Sequence, residues 1–313
     1  MKAFYKSTGL GILCGLVGMT RAAYYDRLRR VEKAKFDSGI IVDLVKRERK
    51  IAKRVSAKRL HLILKSELLM HQIEIGRDKF LEVLRDNDLL VKRKKRRIQT
   101  TMSRHRLRKY PNISKDLLID RAEQLWVSDI TYLDVENTHC YLILITDAYS
   151  RKVVGYNFGR NMDTAFCIVA LENAMNGRLF PERELMHHSD RGLQYCSKKY
   201  VETLTDAGIK ISMTENGDPL ENALAERMNG IFKSNFALDE KFVTFEAARR
   251  TIDDAIEYYN NRLPHSSVDM LTPNEAHLKI GKLKKHWKWY WKEKQELLKL
   301  QEAENVNVAA PNG

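Results

Sequence analysis

Cysteine is scarce: Cys14, Cys140, Cys167 and Cys196 lie far apart, with no C-x-x-C pair among them. That spacing excludes a paired-cysteine zinc finger and a disulfide framework, and it suits a reducing compartment. Long apolar runs are missing too. The best candidate, GLGILCGLVGM at residues 9–19, is broken by glycines, too short to cross a bilayer, and runs into Thr20-Arg21. It reads better as a helix, a turn at Gly18 and a second helix capped by Thr20 than as the core of a signal peptide. With 6 prolines and 43% hydrophobic residues in 313, the chain is not disordered, and its length suits about two domains.

Acidic residues are lacking in one part only. Residues 1–110 carry 30 Lys and Arg against 11 Asp and Glu, whereas residues 111–313 carry 25 against 30. So uneven a charge points to a polyanion, most simply nucleic acid, for the basic third; a merely soluble basic surface is the alternative.

The periodicity supports this division. TRAAYYDRLRR reads as the second helix of a helix-turn-helix, with Arg21 at its start. Apolar residues at Leu60, Ile63, Leu64, Phe80, Leu81 and Leu84 keep helical spacing. GRDKFLEVLRDNDLL carries Arg77 and Lys79 near its beginning, as a DNA-facing helix would; an ordinary helical bundle fits the same pattern. Then Lys92, Arg93, Lys94, Lys95, Arg96 and Arg97 form an unbroken basic run, read as a linker that follows a phosphate backbone when bound.

From Leu125 the pattern turns to strands. LWVSDITYLDV, HCYLILITDAY and KVVGYNFG are separated by short turns, as in an antiparallel meander. A helix at about 163–176, a short strand ELMHHSD, the helix SKKYVETLTDAG, the strand KISMT and two helices, ENALAERMNGIFKSNF and TFEAARRTIDDAIEYYNNR, follow. Together they describe a mixed α/β sheet flanked by helices.

Asp129 occupies the middle of a strand, where propensity and desolvation both disfavour it, so something must compensate its charge. Asp190 ends a later strand. Asp134 and Asp147 sit at strand ends beside turn residues and read as turn formers. On the ENALAERMNGIFK helix, Glu221 and Glu226 point about 140° apart, so one cleft cannot use both. Asn222, Glu226, Asn229, Gly230 and Lys233 share a polar face within about 60°, opposite Leu224, Met228 and Ile231. Asp129, Asp190 and Glu226 can then hold two Mg²⁺ ions about 4 Å apart for phosphodiester chemistry. Lys233 supplies a point charge for a phosphate, and His187 and His188 stand near the site without a catalytic role.

SDITYLDV, HHSDRGLQY and ENALAERMNGIFK resemble the Asp, Asp, Glu motif of the retroviral-integrase superfamily. Thirty-five residues separate Asp190 from Glu226, and Lys233 follows seven after it. Both spacings match the second-frame (OrfB-type) transposases of the insertion-sequence three family. The segments ending LLVKRKKRR and EYYNNRLPHSSVDMLTPNEA resemble that family as well, which extends the likeness over nearly the whole chain. Departures are Glu221-Asn222-Ala223, where the family often has Asp-Asn-Ala, and Met228-Asn229, where aromatic residues often follow the glutamate.

The resemblance implies an RNase H-like catalytic core preceded by a small all-α, helix-turn-helix-like DNA-binding region. It divides the chain into a helical region at 1–91, a basic linker at 92–120, the catalytic core at 121–278 and a basic aromatic tail at 279–313. It implies a DNA transposase using Mg²⁺, with Mn²⁺ as substitute, two ions per site, and Asp129, Asp190 and Glu226 as metal ligands. An idle DNA-binding regulator and a nuclease that hydrolyses without joining are the alternatives. The DNA contacts are expected at Lys233, Asn222, Arg21, Arg77, Lys79 and the 92–97 run. The implied partners are double-stranded DNA at the element's terminal inverted repeats and at the target, further copies of the chain in a dimer or larger assembly, and a first-frame segment. A bacterial cytoplasmic location, on the nucleoid when DNA-bound and without a membrane, goes with this. In the tail, eight lysines from Lys279 to Lys299 interleave with Trp287, Trp289 and Trp291; they suit DNA binding, and Trp287 with Trp291 equally suits packing on the core.

Overall fold

The computed structural model describes residues 8–91, 107–115, 117–215 and 222–286. The basic run 92–97, Glu221 and the three tail tryptophans lie outside the described residues. Among those described, no helix is long and apolar enough to cross a membrane.

The chain begins with α1 (Leu10–Leu16) and α2 (Arg21–Glu48), joined through Gly18 in the left-handed region at φ +68, a conformation that favours glycine. The Thr20 hydroxyl accepts the Ala23 N–H at 3.1 Å and so caps α2 as expected. The helix is longer than TRAAYYDRLRR, however, and passes through Gly39. A glycine inside a helix costs about 1 kcal/mol, which burial of Ile41, Leu44 and Val45 offsets. Three short helices follow: α3 (Ala57–Ile63), α4 (Lys65–Met70) and α5 (Arg77–Asp86).

Strands β1 (Leu125–Val135), β2 (Thr138–Asp147) and β3 (Val153–Gly159) form the expected meander. After α6 (Thr164–Asn176) come β4 (Met186–Ser189), α7 (Lys198–Asp206) and β5 (Lys210–Met213). The chain then continues into α8 (Ala223–Asn235), α9 (Phe245–Arg262) and α10 (Pro273–His277). The sheet order is β3-β2-β1-β4-β5, antiparallel in the meander and parallel where β4 joins β1 and β5. This is the mixed sheet of an RNase H-like α/β core.

Alternation along β2 separates two layers: Ile143 and Ile145 face α6 and α7 together with Trp126, while Leu142 and Leu144 face α8 and α9. The second layer does not stop at the sheet. Ile41, Leu60, Phe80 and Leu84 of the N-terminal helices share one hydrophobic core with Leu133, Phe232, Ile252 and Tyr259. Buried Glu48 of α2 accepts the Tyr258 hydroxyl at 2.6 Å and Arg262 at 2.9 Å, both from α9. Arg54 pairs with Asp239 and Glu240 just beyond α8.

Two predictions come from this packing. A Cβ on Gly155 of β3 would run into the Ala170 carbonyl oxygen and lie 2.6 Å from Ala174 Cβ, both on α6. Gly155→Ala should therefore lower the unfolding free energy by about 2–3 kcal/mol in urea titration; unchanged stability would mean that α6 does not press on β3. His187 is fully enclosed, 3.1 Å from the Tyr200 hydroxyl, and burial pulls its imidazole down to about 3. A base so depressed supports the fold above its unfolded value of about 6.5 and loses that support as pH falls toward about 3. Between pH 7.5 and 5, the parent should lose about 2 kcal/mol more than His187→Phe, and equal losses would acquit the imidazole.

Candidate active site

The parallel pairing of β1 with β4 sets Ser128 opposite Ser189. One residue further on, Asp129 inside β1 and Asp190 just past the end of β4 leave this register side by side. By alternation Asp129 shares a face with Leu133 and Val135, the face that α8 covers. Asn229 on α8 donates from Nδ2 to Asp129 Oδ2 at 2.9 Å, and the Ile130 N–H donates to Oδ1 at 3.0 Å. Asp190 is held differently: its Oδ1 accepts the Gly192 N–H at 2.9 Å.

The three acids feel one another. Burial above all, then the charge of Asp190, and more weakly Glu226, push the Asp129 carboxyl up to about 7 against the pull of its two donors. Glu226, exposed on α8, is also raised, by partial burial and by Asp190. They share a field rather than a ligand sphere: among the described residues no three His, Cys, Asp or Glu side chains are gathered tightly enough to hold a metal ion. Lys233 stands two turns beyond Glu226, its Nζ 5.7 Å from the centre of the Tyr132 ring. Burial lowers its pKa, opposed by the charges of Asp129, Asp239 and Asp134.

The other expected residues divide. Asn222 is buried at the start of α8 and donates to the Ser128 carbonyl at 3.2 Å, which fastens α8 to β1. Arg21 is exposed at the head of α2. Arg77 and Lys79 are exposed on α5, each in an ion pair with a neighbour on the same helix, Asp78 at 2.8 Å and Glu82 at 2.7 Å. Asp147, the last residue of β2, accepts the Glu123 and Ser150 N–H groups and shapes the turn that follows, whereas Asp134 lies inside β1 and pairs across the ladder with His139 at 3.0 Å rather than forming a turn. His187 and His188 are interior; His188 Nδ1 lies 2.9 Å from the Ser212 hydroxyl. Asn229 is the residue whose part sequence reading missed. Its place three after Glu226, one turn along the same polar face, was the available signal.

Two families, each described as an integrase core domain, match this chain, one over residues 120–219 and the other over 207–273. The 31 kDa protein of insertion element IS600 from Shigella sonnei is 28% identical over 265 residues, which is 83% of this chain and 96% of that protein. The transposase for insertion sequence element IS904 from Lactococcus lactis subsp. lactis is 31% identical over 179 residues, 55% of this chain and 70% of the transposase. Among solved structures, the HTLV-2 integrase catalytic core domain in complex with magnesium is similar at 20% identity and a TM-score of 0.40, over 50% of this chain and 97% of that one. On its strand register, its acidic cluster and these sequence relationships, the chain belongs to the insertion-sequence transposases of the retroviral-integrase superfamily.

Proposed function

We propose that this DNA transposase cuts and joins strands at the ends of its insertion element, with Asp129, Asp190 and Glu226 as the carboxylates that carry the chemistry. The observation that supports this most directly is the Asp129 carboxyl, raised to about 7 partly by the charges of Asp190 and Glu226. Carboxylates crowded into one field suit a hard divalent cation with a preference for oxygen donors. The oxygen-donor chemistry of the three carboxylates therefore suits Mg²⁺, or Mn²⁺ in its place, and to hold a pair of ions they would have to draw closer together than they stand here. Bound there, the metal would make the attacking oxygen a better nucleophile and stabilise the charge on the leaving one.

The chain's own residues do the positioning. Asn229 and the Ile130 N–H occupy one lone pair on each oxygen of Asp129 and fix the plane of the carboxylate. The Gly192 N–H does the same for one oxygen of Asp190, and a side chain at Gly192 would press on it, since a Cβ there would lie 3.0 Å from Asp190 Oδ1. Lys233 offers a compact charge to a phosphate beside the carboxylates. In this reading the helical region at 1–91 binds the terminal inverted repeats, the linker at 92–120 and the tail at 279–313 track the backbone, and the core at 121–278 acts on the strand. Bringing two ends together calls for at least a dimer on DNA, and a first-frame segment contributes to end recognition on the bacterial nucleoid.

The test is a cleavage and joining assay on the element's own ends with added Mg²⁺, comparing the parent with Asp190→Asn. Loss of several kcal/mol of charge stabilisation should cost roughly 10³-fold or more in both reactions, while DNA binding is retained; chelation of the metal should stop the parent alike. Joining by the variant at the parent rate would sink the assignment. Cleavage without any joining by the parent would make the chain a nuclease.

A further inference from the structure

A second cluster of charge, opposite in sign, lies on another flank of α8. Arg227 follows Glu226 directly and points about 100° around the helix from it. It shares a field with Arg59 of α3, with Arg151 of the turn between β2 and β3, and with His265 just beyond α9. Neither the Arg59 nor the Arg227 guanidinium has a hydrogen bond or ion pair among the described residues. Arg151 is built into place. Its backbone takes φ +69, unusual for a non-glycine residue, its Nε donates to Ser267 Oγ at 3.1 Å, and its carbonyl accepts the Tyr259 hydroxyl at 3.0 Å. The one carboxylate acting on Arg151, Asp147, is already committed to Glu123 and Ser150.

His265 supplies an independent sign of a missing partner. It is 5% exposed, and its Nδ1 accepts the Ser267 N–H at 3.3 Å, so the neutral ring carries its proton on Nε2. That Nε2 is buried and has no hydrogen-bond partner. Burial and the three arginines hold the ring neutral, down to about 3. The cluster thus gathers donors and positive charge from four elements; its near acceptors, Ser267 Oγ and the Ala148 carbonyl, both serve Arg151, and among the described residues no acceptor meets the Arg59 or Arg227 guanidinium or the His265 Nε2 proton. A buried donor left unpaired is costly, and so is the mutual repulsion of three guanidinium groups. One group with several anionic oxygens relieves both, and the arginine fork matches a phosphate.

We propose that Arg59, Arg151, Arg227 and His265 form a phosphate-binding site that grips one backbone phosphodiester of the DNA strand running past the acidic cluster. The proposal rests on the transposase reading for the source of the phosphate, but not on any reaction. Because it recognises backbone alone, the site holds a strand without regard to sequence.

The test uses the full chain in EDTA, where no strand is cut, and measures its affinity for duplex DNA across a range of salt. Arg59→Gln and Arg227→Gln should each weaken binding about tenfold. The double variant should flatten the dependence of log K on log salt by about 0.9, the amount for one phosphate, and no more. Arg250→Gln, an exposed arginine on α9, serves as the charge-matched control and should change neither quantity. A double variant with the parent slope, or one that loses about 1.8, would overturn a single shared phosphate. Inorganic phosphate, matched in ionic strength with chloride, should raise the melting temperature of the parent and not of Arg227→Gln. If that difference appears while DNA affinity and slope stay unchanged, the ligand is a free phosphate and the DNA source is wrong. Arg227 is exposed, so its variant keeps the test decisive even if Arg59→Gln fails to fold. A parent that binds no DNA would instead overturn the transposase reading beneath the proposal.

Discussion

The cleft depends on one pairing, the parallel ladder in which Ser128 of β1 faces Ser189 of β4. A slip of one residue would turn Asp129 to the opposite face of the sheet, into the layer of Trp126, Ile143 and Ile145. The register is guarded from both sides. Trp126 is wholly buried beneath it, Ser128 Oγ lies 2.9 Å from the Tyr195 hydroxyl, and Asn222 ties the Ser128 carbonyl to α8. Placing two aspartates side by side in this way costs energy in the protein alone, and the donors around Asp129 recover only part of it.

Helix α8 then serves two opposite electrostatic purposes. Glu226, Asn229 and Lys233 lie on the side that meets β1, whereas Met228 packs against Tyr259 and Arg227 lies between the two sides. A negative cleft and a positive cluster are thereby separated by about a quarter turn of one helix. Because α8 is anchored by Phe232 in the shared core and by Asn222 on β1, neither group can shift without the other.

Much of this was legible in the sequence because it rests on local rules. A charged residue in mid-strand, a strand ending in aspartate, and helical phase were enough to select Asp129, Asp190 and Glu226, which the fold brings into one electrostatic field. Capping by Thr20 was equally local. What could not be read depends on distant segments meeting. Asn222 looked like a member of an exposed polar face, yet the approach of β1 buries it. Arg59, Arg151 and His265 look like ordinary surface residues until the chain brings positions 59, 151, 227 and 265 together. The length of α2 was missed for the same reason: burial of Ile41, Leu44 and Val45 against distant segments carries the helix through Gly39 and beyond TRAAYYDRLRR. α10, five residues long with a Thr272 capping box, is too short for periodicity to reveal.

The core that joins the N-terminal helices to α9 also bears on how the protein is made. During synthesis, Ile41, Leu60, Phe80 and Leu84 leave the ribosome about 160 to 200 residues before the helix that covers them begins at Phe245. Until then the basic first third carries an apolar face without its partner helix. An N-terminal fragment released early would keep the excess of basic residues without the acidic balance or the shape of the complete protein, attracted to any polyanion and fitted to none.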